Sequence, residues 1–236
     1  MNIELYAKVT PQYYTGFVPD FLEPYITNDR YKTILDCGCG DGSLLYALDK
    51  AGYLRDKKVY AVDLSRNRVS FVRALGVKAN VCVDNVEVLG TVKSNSIDLL
   101  ITTQVIEHVD DVKMVHSIGR VVKRGGIIYI STVFKKCYGW YFYRNNGRWV
   151  LDPTHLREYM SDGELLGLFS PNKFKLIKNS KRLQWFPIAD FILKRISSNN
   201  VIRNRDSALW RFVRSWRVPV LGYYEWELIF EKLRVE

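Results

Sequence analysis

The stretch Ile34-Leu35-Asp36-Cys37-Gly38-Cys39-Gly40-Asp41-Gly42-Ser43 decides the reading of the fold. The run from Thr33 to Cys37 has the β-branched, apolar character of a buried strand. It turns through three glycines into residues 43–51, where Leu44, Leu45, Leu48 and Ala51 recur at helical spacing. Glycines in such a turn permit positive φ and let a ligand approach the backbone, and an open parallel sheet binds its ligands outside the carboxyl ends of its strands. Asp63 closes the next strand-like run, Val59 to Asp63, 23 residues after Gly40. A dinucleotide fold places there the carboxylate that accepts from ribose hydroxyls. The nicotinamide fingerprint wants a third glycine at position 43, where Ser43 stands, and has no use for an acid at position 36. No Gly-Lys-Ser/Thr follows, so a phosphate-cradling loop is excluded.

The same alternation continues outward. Ser65 is a suitable cap for a helix through Val69, Val72 and Leu75. Asn80–Val83, Ile97–Thr102 and Ile127–Ser131 read as three further strands, with a helix over Asp111–Val122. Strands alternating with helices predict a parallel sheet covered on both faces. After residue 134 the pattern changes. Residues 135–157 are aromatic and basic, a helix follows over Ser161–Phe169, and 174–183 and 223–233 alternate as strands. Pro11 to Ile26 is expected to form a leading helix or lid bearing Tyr13, Tyr14 and Phe17.

Composition bounds the rest. The 236 residues are 47% hydrophobic and 14% aromatic, which excludes a disordered chain and a collagen-like or disulfide scaffold. The formal charge of +10 is concentrated: residues 181–220 carry a net +7. The four cysteines form no CxxC pair, and no signal peptide or apolar run near ~18 residues is present. These features predict a reducing, cytoplasmic setting.

Taken in order, the motifs resemble the class I S-adenosylmethionine-dependent methyltransferases, over about residues 30–180. Asp36-Cys37-Gly38-Cys39-Gly40-Asp41-Gly42 is similar to their glycine motif, Asp63 to their ribose-binding acid, and Asp84-Asn85 to the pair at the adenine edge. Ser96–Leu100 with Gln104-Val105-Ile106-Glu107-His108-Val109 resembles their fourth strand and the loop after it. Val121–Gly126 and Asp152–Tyr159 resemble two further stretches. The resemblance implies a Rossmann-like, doubly wound α/β fold, with a seven-stranded, mostly parallel sheet, an antiparallel last strand and helices on both faces. It implies S-adenosylmethionine as cofactor and S-adenosylhomocysteine as product. The cofactor site would comprise Asp36, Gly38, Cys39, Gly40, Asp63, Leu64, Asp84, Asn85 and Gln104. One domain is expected over 1–236: a lid to residue 30, a cofactor-binding core over 31–183, a basic aromatic insert over 184–222 and the last strand over 223–236.

A sulfonium methyl donor is already activated, so the protein must align donor and acceptor, exclude water and remove a proton where the acceptor requires it. His155 is the preferred general base and His108 the second candidate, because an imidazole takes a proton near neutral pH. His116 falls within a helix and is read as structural. Some relatives that methylate ubiquinone precursors or small-RNA ends carry Glu-x-x-Glu-His plus a distant histidine as a divalent-metal site. Here Gln104 replaces the first glutamate beside Glu107, His108 and His155, and no metal is assigned. The acceptor is expected to be a small molecule, of lipid-linked or saccharide type, shaped by residues 138–149 and Tyr13/Tyr14. Leu209, Phe212, Val213 and Trp216 form an apolar stripe among Arg203, Arg205, Arg211, Arg214 and Arg217. Pocket cover ranks first for this segment, peripheral membrane contact through 184–220 second and RNA third. An RNA methyltransferase and a non-catalytic cofactor-binding protein are the alternatives, and the sequence specifies no oligomeric state.

Overall fold

The computed structural model describes residues 17–145, 147–188, 212 and 215–233. After a short helix α1 (Glu23–Ile26), the elements run β1 (Thr33–Cys37), α2 (Ser43–Lys50), β2 (Lys58–Asp63), α3 (Arg66–Ala74), β3 (Asn80–Val83), β4 (Ile97–Thr103), α4 (Asp111–Val121) and β5 (Val122–Lys135). A small hairpin of β6 (Tyr143–Asn145) and β7 (Arg148–Val150) follows, then α5 (Asp162–Leu166), β8 (Phe174–Pro187) and β9 (Arg217–Lys232). Helix starts agree with the local chemistry. Ser65 Oγ accepts from Arg68 N at the head of α3, and Asp110 caps α4 by accepting from Lys113 N.

Seven strands form one sheet in the order β3-β2-β1-β4-β5-β9-β8. The first five are parallel, and β9 runs antiparallel to both neighbours, from Ile127↔Glu231 to Lys135↔Tyr223 along β5. Successive side chains of a strand point to opposite faces, and the buried residues divide accordingly. Ile34, Leu99, Ile101, Ile127 and Tyr129 pack with Leu45, Leu48, Val69 and Val72 from α2 and α3. Leu35, Cys37, Leu100, Ile128 and Ile130 pack with Met114, Ile118 and Val121 from α4, and with Trp226. Burial on both faces explains the continuous apolar runs of the central strands.

Strands β8 and β9 extend further than the alternation predicts. Trp185↔Pro219, Phe186↔Val218 and Pro187↔Arg217 remain paired. Register shifts at Leu176/Lys178 and Leu183/Trp185 interrupt the two-residue period, and this erased the signal beyond residue 183. Residues 135–157, aromatic and basic in the sequence and assigned no element there, contain the β6–β7 hairpin. Tyr13 and Tyr14, most of the 184–222 segment and its stripe residues Leu209 and Val213 lie outside the described residues.

Candidate active site

The glycine turn is held to the end of β2. Gly38 N and Cys39 N both donate to Val62 O at 2.9 Å. Asp63, almost fully buried, accepts from Gly40 N on one carboxylate oxygen (3.0 Å) and from Ser65 N on the other (2.8 Å). The predicted ribose acid therefore also fixes the loop against which a ribose would lie. Gly38 has φ +81°, and a Cβ there would sit 2.5 Å from Val105 Cγ2, so no other residue fits without displacing the wall. Cys39 turns its side chain into the core beside Leu45 and Ile101, leaving only its backbone for a ligand.

At the carboxyl ends of β1, β2 and β4 lies an open cleft lined by Gly38, Asp63, Leu64, Asn85, Val86, Gln104, Val105, His108 and Val109. Six of these are residues predicted from sequence. Asp84 is not among them: its carboxylate accepts from Asn85 N, Gly90 N, Thr91 N and Thr91 Oγ1, which closes its own loop and leaves Asn85 facing the cleft. Val86, Val105 and Val109 form an apolar wall; Val105 and Val109 stood in the quoted stretch after the fourth strand but were given no role there. Gln104 adopts φ +54°, an uncommon conformation for a residue with a side chain, and its N–H donates to Ser131 O.

Asp36 is buried at the end of β1. Burial, with Asp63 and Asp41 nearby, pushes its carboxyl up to about 7, and its Oδ2 has no hydrogen-bond partner among the described residues. An unpaired buried carboxyl oxygen is costly unless a ligand completes it, and it suits a group of positive charge. Together with the Asp63 acceptors and the valine wall, these features fit a nucleoside that also bears a cation.

A buried polar cluster adjoins the cleft. His108, on the turn Ile106–His108, and His155 meet edge to face with ring centres 4.7 Å apart. His108 Nδ1 lies 3.2 Å from Thr154 O and 3.1 Å from Thr154 Oγ1; burial and the neighbouring His155 lower its pKa. His155, 5% exposed, pairs through Nδ1 with Glu158 Oε1 at 3.0 Å. Glu158 also accepts from Leu151 N and Tyr223 OH and pairs with Lys135. Burial alone would raise its pKa, but His155, the Leu151 N–H and Lys135 outweigh burial and hold it below the usual range. Glu107, fully buried, accepts from Thr132 Oγ1, while its Oε1 has no partner among the described residues; burial raises its pKa. Glu107 O receives Leu156 N and Arg157 N, which fastens the His155 segment to the loop after β4. Ligand atoms of Glu107, His108 and His155 lie within 4.8 Å of one another. The Gln104 amide is turned to Ser131 Oγ. His116 is exposed on α4, as a residue without a site role should be.

Fold and cleft together define a Rossmann-like domain with an open cleft at the switch in strand order and the antiparallel seventh strand of the methyltransferase fold. Residues 35–130 match the family model described as a methyltransferase domain. Over 105 residues the chain is 31% identical to the ubiquinone biosynthesis O-methyltransferase of Xanthomonas oryzae pv. oryzae, covering 42% of each chain. The match thus spans about two fifths of that relative's length. Among solved structures, a SAM-dependent methyltransferase from Methanosarcina mazei superposes with TM-score 0.62 at 15% identity, over 92% of this chain and 99% of the other. The 4+2 cyclase SpnF superposes with TM-score 0.64 at 17% identity, over 98% and 96%. These likenesses establish the fold, and they show it carrying more than one activity. Among the described residues, no helix is long and apolar enough to cross a membrane.

Proposed function

We propose that this protein transfers the methyl group of S-adenosylmethionine to an oxygen or nitrogen of a small molecule. The observation that carries the reading is the pair of buried acids beside the glycine turn: Asp63, at the end of β2, is bonded to the loop, and Asp36, near the end of β1, has an Oδ2 without a partner among the described residues. The name of the Xanthomonas relative supports oxygen as the acceptor atom. When bound, S-adenosylmethionine supplies an activated methyl group. The chain's own residues do the rest: Asp63 and Asn85 orient the nucleoside, the valine wall excludes water, and Asp36 meets positive charge.

Of the two histidines, His108 lines the cleft, so we assign it the acceptor's proton and give His155 a supporting role behind it. The Thr154 carbonyl only accepts, so Nδ1 of His108 carries the hydrogen and Nε2 is the basic nitrogen. Changing His108 to glutamine is expected to lower kcat by about 10²- to 10⁴-fold while leaving cofactor affinity within a few-fold. Because its pKa is lowered from 6.5, the wild-type kcat should reach its plateau by neutral pH. Single-turnover assays with a methyl-labelled cofactor test this; an unchanged kcat would remove His108 as the base.

The proximity of Glu107, His108 and His155, with the unpaired Glu107 Oε1, favours a second reading in which the trio holds a divalent ion. Dialysis against chelator separates the two. Unaltered turnover supports proton transfer alone. Stoichiometric Mn²⁺ uptake that is lost in Glu107→Gln supports the ion. The entry test for the whole proposal is calorimetric binding of S-adenosylhomocysteine, followed by an acceptor screen; no binding would defeat it.

A further inference from the structure

We propose that the end of the molecule built from the described residues of 136–151, 183–188 and 215–224 docks on an anionic lipid bilayer. Trp140, Phe142, Trp185, Trp216, Val218 and Leu221 are each between 45% and 69% exposed there. They are outward partners in a local alternation. Tyr141, Val220, Val133 and Tyr223 turn inward to form a small core of their own, with Phe186 packed against it. Trp140 N bonds to Leu221 O, and Ile188 N bonds to Trp216 O, which ties the three stretches together. The apolar side chains are thus displayed by a folded support.

Charge selects the partner. Those three stretches contain Lys136, Arg144, Arg148 and Arg217 and no aspartate or glutamate. The connecting sequence 189–214 adds six basic residues against Asp190 and Asp206. Trp and aliphatic side chains mixed with Arg, without acids, match the interface of an anionic leaflet, where rings lie at headgroup depth and guanidinium groups reach phosphate. The Arg144 guanidinium already stacks 4.2 Å from the Trp149 ring centre. Single-stranded RNA fits less well. The exposed rings pack edge to face on one another, Trp140 against Phe142 and Trp149, which leaves no stacked platform for bases, and Val218 and Leu221 have no face to stack. Lys135 ends β5 at the same sheet edge as the cleft, so a docked molecule would hold its cleft beside the bilayer.

The proposal stands apart from methyl transfer, since docking requires no turnover. The full chain is sedimented with extruded vesicles of phosphatidylcholine alone or with about one third phosphatidylglycerol. Anionic vesicles should carry down most of the protein and neutral ones little. Both Trp140→Glu/Leu221→Glu and Arg144→Glu/Arg217→Glu should weaken the association more than about tenfold, with melting temperature and S-adenosylhomocysteine binding unchanged. Two surface pairs are used so that poor folding of one still leaves a test. The proposal is overturned if wild-type protein ignores anionic vesicles, or if the folded variants bind them equally well. It is also overturned if the same variants instead abolish binding to a single-stranded RNA or dissociate a homodimer while vesicle binding is absent.

Discussion

Replacing Asp63 by alanine should weaken S-adenosylhomocysteine binding by at least about 100-fold, because hydrogen bonds to a charged group contribute roughly 1.5–3 kcal/mol each and a ribose offers two hydroxyls. The same change strips acceptors from Gly40 N and Ser65 N. Leaving a buried donor unsatisfied costs about 1–3 kcal/mol, so the variant should also melt at lower temperature. Asp63→Asn keeps one acceptor oxygen and should fall between the two in both respects. Calorimetry and thermal unfolding on the three proteins check the result. Affinity that stays unchanged while stability falls would reduce Asp63 to a support for the turn.

Asp36→Asn should move stability and binding in opposite directions. The folded-state pKa of about 7 lies above the unfolded value for aspartate, so between roughly pH 4 and 7 the folded state binds more protons than the unfolded one. Stability is therefore greatest at the acid end of that window and falls as pH rises through it, by at most about 1.4 kcal/mol per unit, then levels above 7. Asparagine has nothing to ionise. At pH 8 the ligand-free variant should be more stable than wild type, on the order of 2 kcal/mol, and its unfolding should lose this slope. Its cofactor binding should be weaker by about 10- to 100-fold, because the charge that answers a cation is gone. In the wild type, a bound cation favours the carboxylate, so binding at pH 6 should release up to one proton. Calorimetry in two buffers of different ionisation heat reads that proton directly. Binding that is pH-independent and free of proton release would show that Asp36 does not meet the ligand's charge.

Legibility in the sequence followed the range of the interactions. The turn after β1 was readable because its constraints are local: positive φ at Gly38, Gly40 and Gly42, and a helix that must begin at Ser43. Asp63 was readable because a parallel βαβ unit fixes the distance from the glycines to the end of the next strand. Asp84 was placed at the correct corner, but its side chain closes its own loop and leaves Asn85 in the cleft, a choice among short hydrogen bonds that spacing does not encode. Which histidine borders the cleft was not legible either. His155 ranked first in sequence, yet it is buried against Glu158 while His108 lines the cleft. Glu158 itself stood in a quoted stretch, three residues after His155, and its partners Lys135 and Tyr223 come from β5 and β9.

The net charge of +10 likewise pointed to a segment without saying what faces outward. Alternation around Tyr141 and Val220 decides which aromatic residues are buried and which remain exposed. By itself, then, the sequence determined the sheet, the glycine turn and the place of Asp63 at the end of β2, because these rest on backbone conformation and short-range periodicity. Only the tertiary structure decided which histidine meets the cleft, which carboxylates are left unpaired and where the basic aromatic surface lies. Those depend on contacts between residues such as 107 and 132, or 158 and 223, that approach only when β5 and β9 pair and the chain closes over them.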